Sequence, residues 1–190
     1  MAMMKMLQRS PLVLSIDDTL SAEECAEWIE RAEALGFRKG ALISRHGVAY
    51  DDRVRSNDRV VFDDPSWAAL LFARLAAHFP RRRGWAPTGC NERIRIYRYE
   101  PGQRFREHRD SYFERPGGER SQLTLLVYLN DGFEGGETWF PKLTFSPERG
   151  AALAFEHDQP HAGVVVTAGR KYVARTDVMY FPDFSSPDDA

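Results

Sequence analysis

His108-Arg-Asp110, joined further along the chain by His161, are the residues whose types and spacing could do chemistry. Two imidazoles and one carboxylate suit ferrous iron, held on one face with the other positions open to a co-substrate and dioxygen. On an extended strand residues i and i+2 point the same way, so an H-x-D pair presents both groups to one point. The third ligand must come from a distant strand laid alongside. An H-x-D triplet alone arises often by chance. Its company sharpens it: Tyr99, Tyr128, the run Gly135-Gly136-Glu137-Thr138, and Lys171 ten positions past His161.

These groups need a scaffold, and the chain changes character at Asn91 to supply one. Beyond it, strand-like segments recur at Arg93 to Tyr99, Phe105 to Asp110, Leu123 to Leu129, Glu137 to Phe140, Ala151 to Phe155, Gly163 to Val166 and Lys171 to Tyr180, with Gly, Pro, Asn and Asp between them. Many short, punctuated strands indicate a sandwich or jelly roll. Before Asn91, Pro11 to Ile16 reads as a strand. Ser21-Ala-Glu-Glu24 is a capping box, and Cys25, Trp28, Ile29, Ala32 and Leu35 stripe the helix it opens, with Gly36 as its stop. Asp64-Pro65 opens a second helix striped by Leu70, Leu71, Leu75 and Phe79. Arg59 to Phe62 carries weak strand signals, and 84–89 reads as a turn-rich connection. The expectation is one mainly β, α+β domain: residues 1–90 as helical support and candidate lid, residues 91–181 as the β-core that carries the chemistry.

The 190 residues can bury a sizeable core, and 43% hydrophobic with 28% charged residues is a globular composition. A net charge of -2 argues against a nucleic-acid partner, with Arg81-Arg82-Arg83 as a local, solvated exception. Cys25 and Cys90 show neither metal nor redox spacing and suit a reducing cytoplasm. No apolar run reaches the length of a membrane span, and Met1 to Met6 is too short for a signal peptide.

The second half resembles the prolyl-4-hydroxylase-like branch of the iron(II)/2-oxoglutarate dioxygenases. The match runs from Asn91 to Tyr180. It is carried by Tyr99-Glu-Pro-Gly-Gln-Arg-Phe105, His108-Arg-Asp110, Leu123-Thr-Leu-Leu-Val-Tyr-Leu-Asn130, Gly135-Gly-Glu-Thr-Trp-Phe-Pro141, Gly150-Ala-Ala-Leu-Ala-Phe155, His161-Ala-Gly163 and Gly169-Arg-Lys-Tyr172. The resemblance implies a double-stranded β-helix, a distorted jelly roll, with Fe(II) held by His108, Asp110 and His161. It implies 2-oxoglutarate and O2 as co-substrates, hydroxylation of a C–H bond with release of succinate and CO2, and ascorbate as a candidate reductant. The His-Ala-Gly pattern and the spacing to Lys171 favour His161 over the nearby His157 as third ligand. Lys171 stands where the family keeps the cation for the distal carboxylate of 2-oxoglutarate, and Arg175, on the same strand face, is the alternative. Tyr99 and Tyr128 match positions whose phenols hydrogen-bond the co-substrate.

Substrate contacts are less defined. Arg93, Arg95, Tyr97 and Tyr99 share one strand face, so Arg95 and Tyr97 should line the pocket with Tyr99. An unpaired buried arginine is costly, so Arg95 should meet an acidic group or a substrate carboxylate there. Trp139 either narrows the pocket or packs outside. The polar segment His46 to Arg59, with Tyr50, Arg53, Arg55 and Asn57, is a candidate lid. The substrate is a peptide or protein side chain or a small metabolite. Alternative readings are a non-catalytic jelly-roll binding module and an oxygenase that demethylates nucleic acid.

Overall fold

The computed structural model describes residues 3–9, 11–40, 42–44, 47–49, 51, 53–82, 84–146 and 148–183. Of the sequence expectations, Tyr50, His46 and the polar end from 184 onward lie outside the described residues. In chain order the strands are β1 (Met4–Arg9), β2 (Leu12–Ile16), β3 (Arg38–Lys39), β4 (Leu42–Ser44), β5 (Gly47–Ala49), β6 (Asp58–Asp63), β7 (Trp85–Cys90), β8 (Arg93–Tyr99), β9 (Phe105–His108), β10 (Arg120–Tyr128), β11 (Glu134–Gly135), β12 (Thr138–Phe140), β13 (Leu143–Phe145), β14 (Ala152–Glu156), β15 (His161–Gly163), β16 (Val166–Ala168) and β17 (Lys171–Pro182). Two helices, α1 (Ala22–Leu35) and α2 (Pro65–Leu75), precede β7.

A large antiparallel sheet runs in the order β1-β2-β14-β10-β17-β8-β6-β3, and β7 pairs with the end of β17. A smaller sheet, β13-β12-β15-β9, faces it. This is the two-sheet jelly roll that the strand pattern implied. The side-chain parity of the large sheet separates two cores. Ile94, Ile96, Leu123, Leu125, Val127, Ala174 and Val178 face the helices, whereas Tyr97, Tyr99, Leu126, Tyr128, Leu153, Phe155 and Val173 face the interior between the sheets.

The helices brace the outer face of the large sheet. Ser21 caps α1 as expected: its hydroxyl accepts from the Glu24 amide at 3.2 Å while its own amide donates to the Glu24 carboxylate at 2.8 Å. Asp64 caps α2 by accepting from the Trp67 amide at 2.9 Å. Trp28 and Trp67 stack face to face at 3.8 Å and bind the two helices to each other. Leu35 departs from the expected stripe: it is 52% exposed.

Three strand expectations are corrected. Residues 85–90 form β7 rather than a connection; Pro87 and Gly89 are accommodated because β7 is an edge strand with β17 as its one partner among the described residues. β9 ends at His108, so Asp110 lies in the following loop. The stretch expected as Gly163 to Val166 splits into β15 and β16, which belong to different sheets.

Candidate metal and co-substrate centre

β9 and β15 pair with His161 directly opposite His108. Asp110 follows β9 by two residues, and its amide donates to the His157 carbonyl at 2.8 Å, which folds its carboxylate back toward the imidazoles. One ligand atom from each of His108, Asp110 and His161 lies within 4.8 Å of the others. His108 Nε2 is 3.6 Å from Asp110 Oδ1, and His161 Nε2 is 3.5 Å from Asp110 Oδ2. His108 Nδ1 donates to the Arg106 carbonyl at 2.8 Å, and His161 Nδ1 donates to the Gln159 carbonyl at 3.0 Å. A carbonyl oxygen can only accept, so Nδ1 carries the proton and each Nε2 keeps its lone pair for a metal.

The electrostatics agree. Burial, helped by neighbouring His161, pushes the His108 imidazole down to about 4, and burial also lowers His161. Both rings are therefore neutral near pH 7. Burial opposes ionisation of Asp110, yet the Arg175 guanidinium and the Thr124 hydroxyl hold its carboxyl well below the usual carboxylate range. The donor set is two neutral nitrogens and one anionic oxygen, which fits a ferrous ion.

Behind Asp110 lies a second layer that the sequence reading did not assign. Thr124 donates to Asp110 Oδ2 at 2.6 Å and lies 2.9 Å from His157 Nδ1, while His157 Nε2 is 2.9 Å from the Ser121 hydroxyl. His157 is thus a buried neighbour of the ligand set, not a member of it.

The cavity beside the triad opens to solvent and is lined by residues of both sheets, among them Tyr97, Tyr99, Phe105, Thr138 and Lys171. Lys171 is 3% exposed at the end of β17. Its ammonium donates to the Gly136 carbonyl at 2.6 Å and lies 5.2 Å from the Tyr99 ring and 5.3 Å from the Tyr128 ring. Among the described residues it has no carboxylate in ion-pair contact. Burial accordingly pushes it down to about 7. A buried ammonium without a counter-ion is what the distal carboxylate of a keto acid would complete. Arg175, the alternative cation, points into the same cavity but is 3.0 Å from Asp110 Oδ1 and 3.3 Å from Asp177 Oδ1. Arg170 faces outward and pairs with Glu100 at 2.6 Å.

Other expected contacts fall differently. Tyr99 lines the cavity, but Tyr128 lies beneath it: its hydroxyl is 2.6 Å from that of Thr138, and Thr138 is the one facing the cavity. Tyr97 lines the cavity as expected. Arg95 does not, because buried Asp177 draws its guanidinium away at 3.3 Å; Arg93 is exposed at the sheet end. Trp139 is not in the lining either, since its neighbours Thr138 and Phe140 take the inward positions of β12. Arg53 points to solvent and pairs with Asp51 at 3.0 Å. Arg55, two residues on, is instead buried between Tyr97 and Phe105.

Residues 94–176 match the profile of the 2OG-Fe(II) oxygenase superfamily, and that span contains all three candidate ligands and Lys171. The chain belongs to this superfamily, in its prolyl-4-hydroxylase-like branch. A relative from Acanthamoeba polyphaga mimivirus, named provisionally as a prolyl 4-hydroxylase, is 39% identical over 75% of this chain and 66% of its own length. Prolyl 4-hydroxylase 1 of Arabidopsis thaliana is 26% identical over 87% of this chain and 68% of its own. The chain thus spans about two thirds of the length of these curated relatives. A viral collagen prolyl hydroxylase from Paramecium Bursaria Chlorella virus-1, solved with 2-oxoglutarate, shares the oxygenase fold with a TM-score of 0.59 at 22% identity, covering 88% of this chain and 95% of that one. A Trichoplax adhaerens prolyl hydroxylase solved with a hypoxia inducible factor peptide fragment gives a TM-score of 0.65 at 18% identity, over 87% and 82%.

Proposed function

We propose that this protein is an iron(II)- and 2-oxoglutarate-dependent hydroxylase acting on a C–H bond of a peptide or protein side chain or of a small metabolite. The observation that carries this reading is the pairing of two features in one cavity: a donor set of two neutral imidazoles, His108 and His161, with the Asp110 carboxylate, and a buried ammonium, Lys171, with no carboxylate in ion-pair contact among the described residues. Bound iron and the keto acid supply oxidation, in which C–H, 2-oxoglutarate and O2 become C–OH, succinate and CO2. The chain's own residues bind and orient. His108, Asp110 and His161 hold the ion on one face. Lys171 and the Tyr99 phenol receive the keto acid at the deep end. Phe105, Leu126 and Val173 give the cavity an apolar wall against which a substrate C–H group would pack. No side chain has to act as nucleophile or general base.

The peptide substrate is supported by the names of the relatives and by an open cavity mouth. Two unbridged cysteines suit a reducing compartment. The test is anaerobic addition of iron(II) and 2-oxoglutarate to metal-free protein. A visible charge-transfer band is expected in the wild type and absent in His161→Ala. A folded wild type with no band would sink the reading.

A further inference from the structure

The cavity carries more positive charge than its own side chains neutralise. Lys171 and Arg175 line it with Asp110, and behind this lining lie Arg55, against the Tyr97 and Phe105 rings, and the Arg95–Asp177 pair. Arg95 and Arg175 share Asp177 at 3.3 Å each, and Arg175 also reaches Asp110. Glu137 is near enough for Lys171 to feel its charge but lies on the Lys171 side.

Arg55 is the group without an answer. It is 5% exposed. Its guanidinium lies 4.6 Å from the Tyr97 ring centre and 4.5 Å from that of Phe105, and its Nε donates to the Asn57 amide oxygen at 2.9 Å. Its Nη2 is buried with no hydrogen-bond partner, and among the described residues no carboxylate lies in ion-pair contact with it. Arg175 Nε is likewise buried and unpartnered. Leaving a buried charged donor unsatisfied costs several kcal/mol, so such groups call for an explanation in function.

The chain path shows where an answer could come from. Residue 55 bridges Phe105 at the edge of the small sheet, and Asp58 onward joins the large sheet as β6 beside β8. The segment therefore crosses from one sheet to the other beside the cavity. Arg55 sits at that crossing, between two rings that both line the cavity. Phe105 in turn stacks on the His108 imidazole at 3.6 Å and 17°. Tyr97, Arg55, Phe105 and His108 form one continuous stack that ends on a metal ligand. Burial raises the Tyr97 phenol, yet Arg175, Arg55 and Arg95 together hold it below its ordinary value, as convergent guanidinium groups should.

The remaining step rests on the proposed function. When a metal takes Asp110, that carboxylate is shared and Arg175 loses part of its partner. Lys171 is matched by the distal carboxylate of the keto acid. Arg175, in the cavity lining, and Arg55, packed against the Tyr97 and Phe105 rings that line it, are then left without a matching anion. We propose that Arg55 and Arg175, flanking Tyr97, form a carboxylate subsite for the substrate, so that the hydroxylated molecule bears an anionic carboxylate within a few bonds of the oxidised carbon. A free amino acid and a peptide that ends at the hydroxylated residue share this chemistry.

The test is calorimetric binding to protein loaded with manganese(II) and 2-oxoglutarate. One arm titrates the common L-amino acids against their carboxamides; the other titrates tripeptides with free against amidated C termini. At least one acid in one arm should bind about tenfold or more tightly than its amide, the worth of a charge-assisted bond. The arm that shows it identifies the source. Arg55→Met, which keeps the stacked volume, and Arg175→Met should each erase the preference. Amides that match their acids throughout, or an acid preference that survives both substitutions, would overturn the subsite. The iron charge-transfer band is recorded in parallel. Its absence alongside a clear acid preference removes the hydroxylase reading and keeps the subsite; its presence without a preference does the reverse.

Discussion

Thr124 donates its hydroxyl proton to Asp110 Oδ2 across 2.6 Å, and this one bond fixes the direction of the hydrogen bonds behind it. A carboxylate only accepts, so the Thr124 oxygen must accept from His157 Nδ1–H. His157 Nε2 is then bare and accepts from Ser121, whose oxygen accepts from the Phe113 amide at 2.8 Å. The relay orients the Asp110 carboxylate and holds His157 neutral. Thr124→Val keeps the shape and removes the donor. It should weaken iron(II) or manganese(II) binding by about 10- to 100-fold with the fold intact, and His157→Phe should do the same. Metal titration with circular dichroism checks this; unchanged affinity would remove the relay from metal binding.

Lys171 gives 2-oxoglutarate binding a pH dependence of defined sign. In the ligand-free protein its ammonium is pushed down to about 7 by burial, so it is charged below that pH. A carboxylate beside it favours the charged form, so binding above that pH takes up a proton. Affinity should be flat on the acid side and fall toward tenfold per pH unit on the alkaline side. Titrations across neutral pH should show that slope, and Lys171→Met should remove it along with about 10- to 100-fold of affinity. A slope that persists in the variant would assign the carboxylate elsewhere.

Gly136 should tolerate no side chain. It has a φ of +70°, and an added Cβ would lie 3.1 Å from Lys171 Cδ and from Val166 Cγ2. Its carbonyl also holds the Lys171 ammonium. Gly136→Ala should cost about 1–2 kcal/mol in backbone strain and weaken 2-oxoglutarate more than metal. Thermal melts and separate titrations of the two ligands distinguish these effects.

Both thiols should be inert in the folded protein. Burial pushes Cys25 up to about 11 and Cys90 up to about 12, so neither offers thiolate near neutral pH. Iodoacetamide followed by mass measurement should show no modification until denaturant is added, and two modifications afterwards.

The His108, Asp110 and His161 cluster was legible in the sequence because each member carries its own signal: an H-x-D triplet, and a histidine before a basic strand. What surrounds them was not. Arg95 and Tyr97 share a strand face, and alternation alone sends both into the cavity. Asp177, on another strand and 82 residues later, captures Arg95, and that register is invisible locally. Asp110 was expected inside a strand, but its amide is taken by His157, a partner that tertiary structure supplies. β7 was hidden by its own Pro87 and Gly89, since local propensity cannot distinguish a turn from an edge strand stitched to β17. Arg55 was visible as part of a polar segment; its burial depends on Tyr97 and Phe105 arriving from two different sheets.

The direct opposition of His108 and His161 across β9 and β15 makes strand register and ligand geometry a single quantity. A slip of one residue would turn His161 to the outside and dissolve the donor set. Before the two strands meet, the chain can offer iron a histidine and an aspartate but no third ligand. The complete donor set therefore exists only where the two strands have paired, in the same fold that builds the cavity walls.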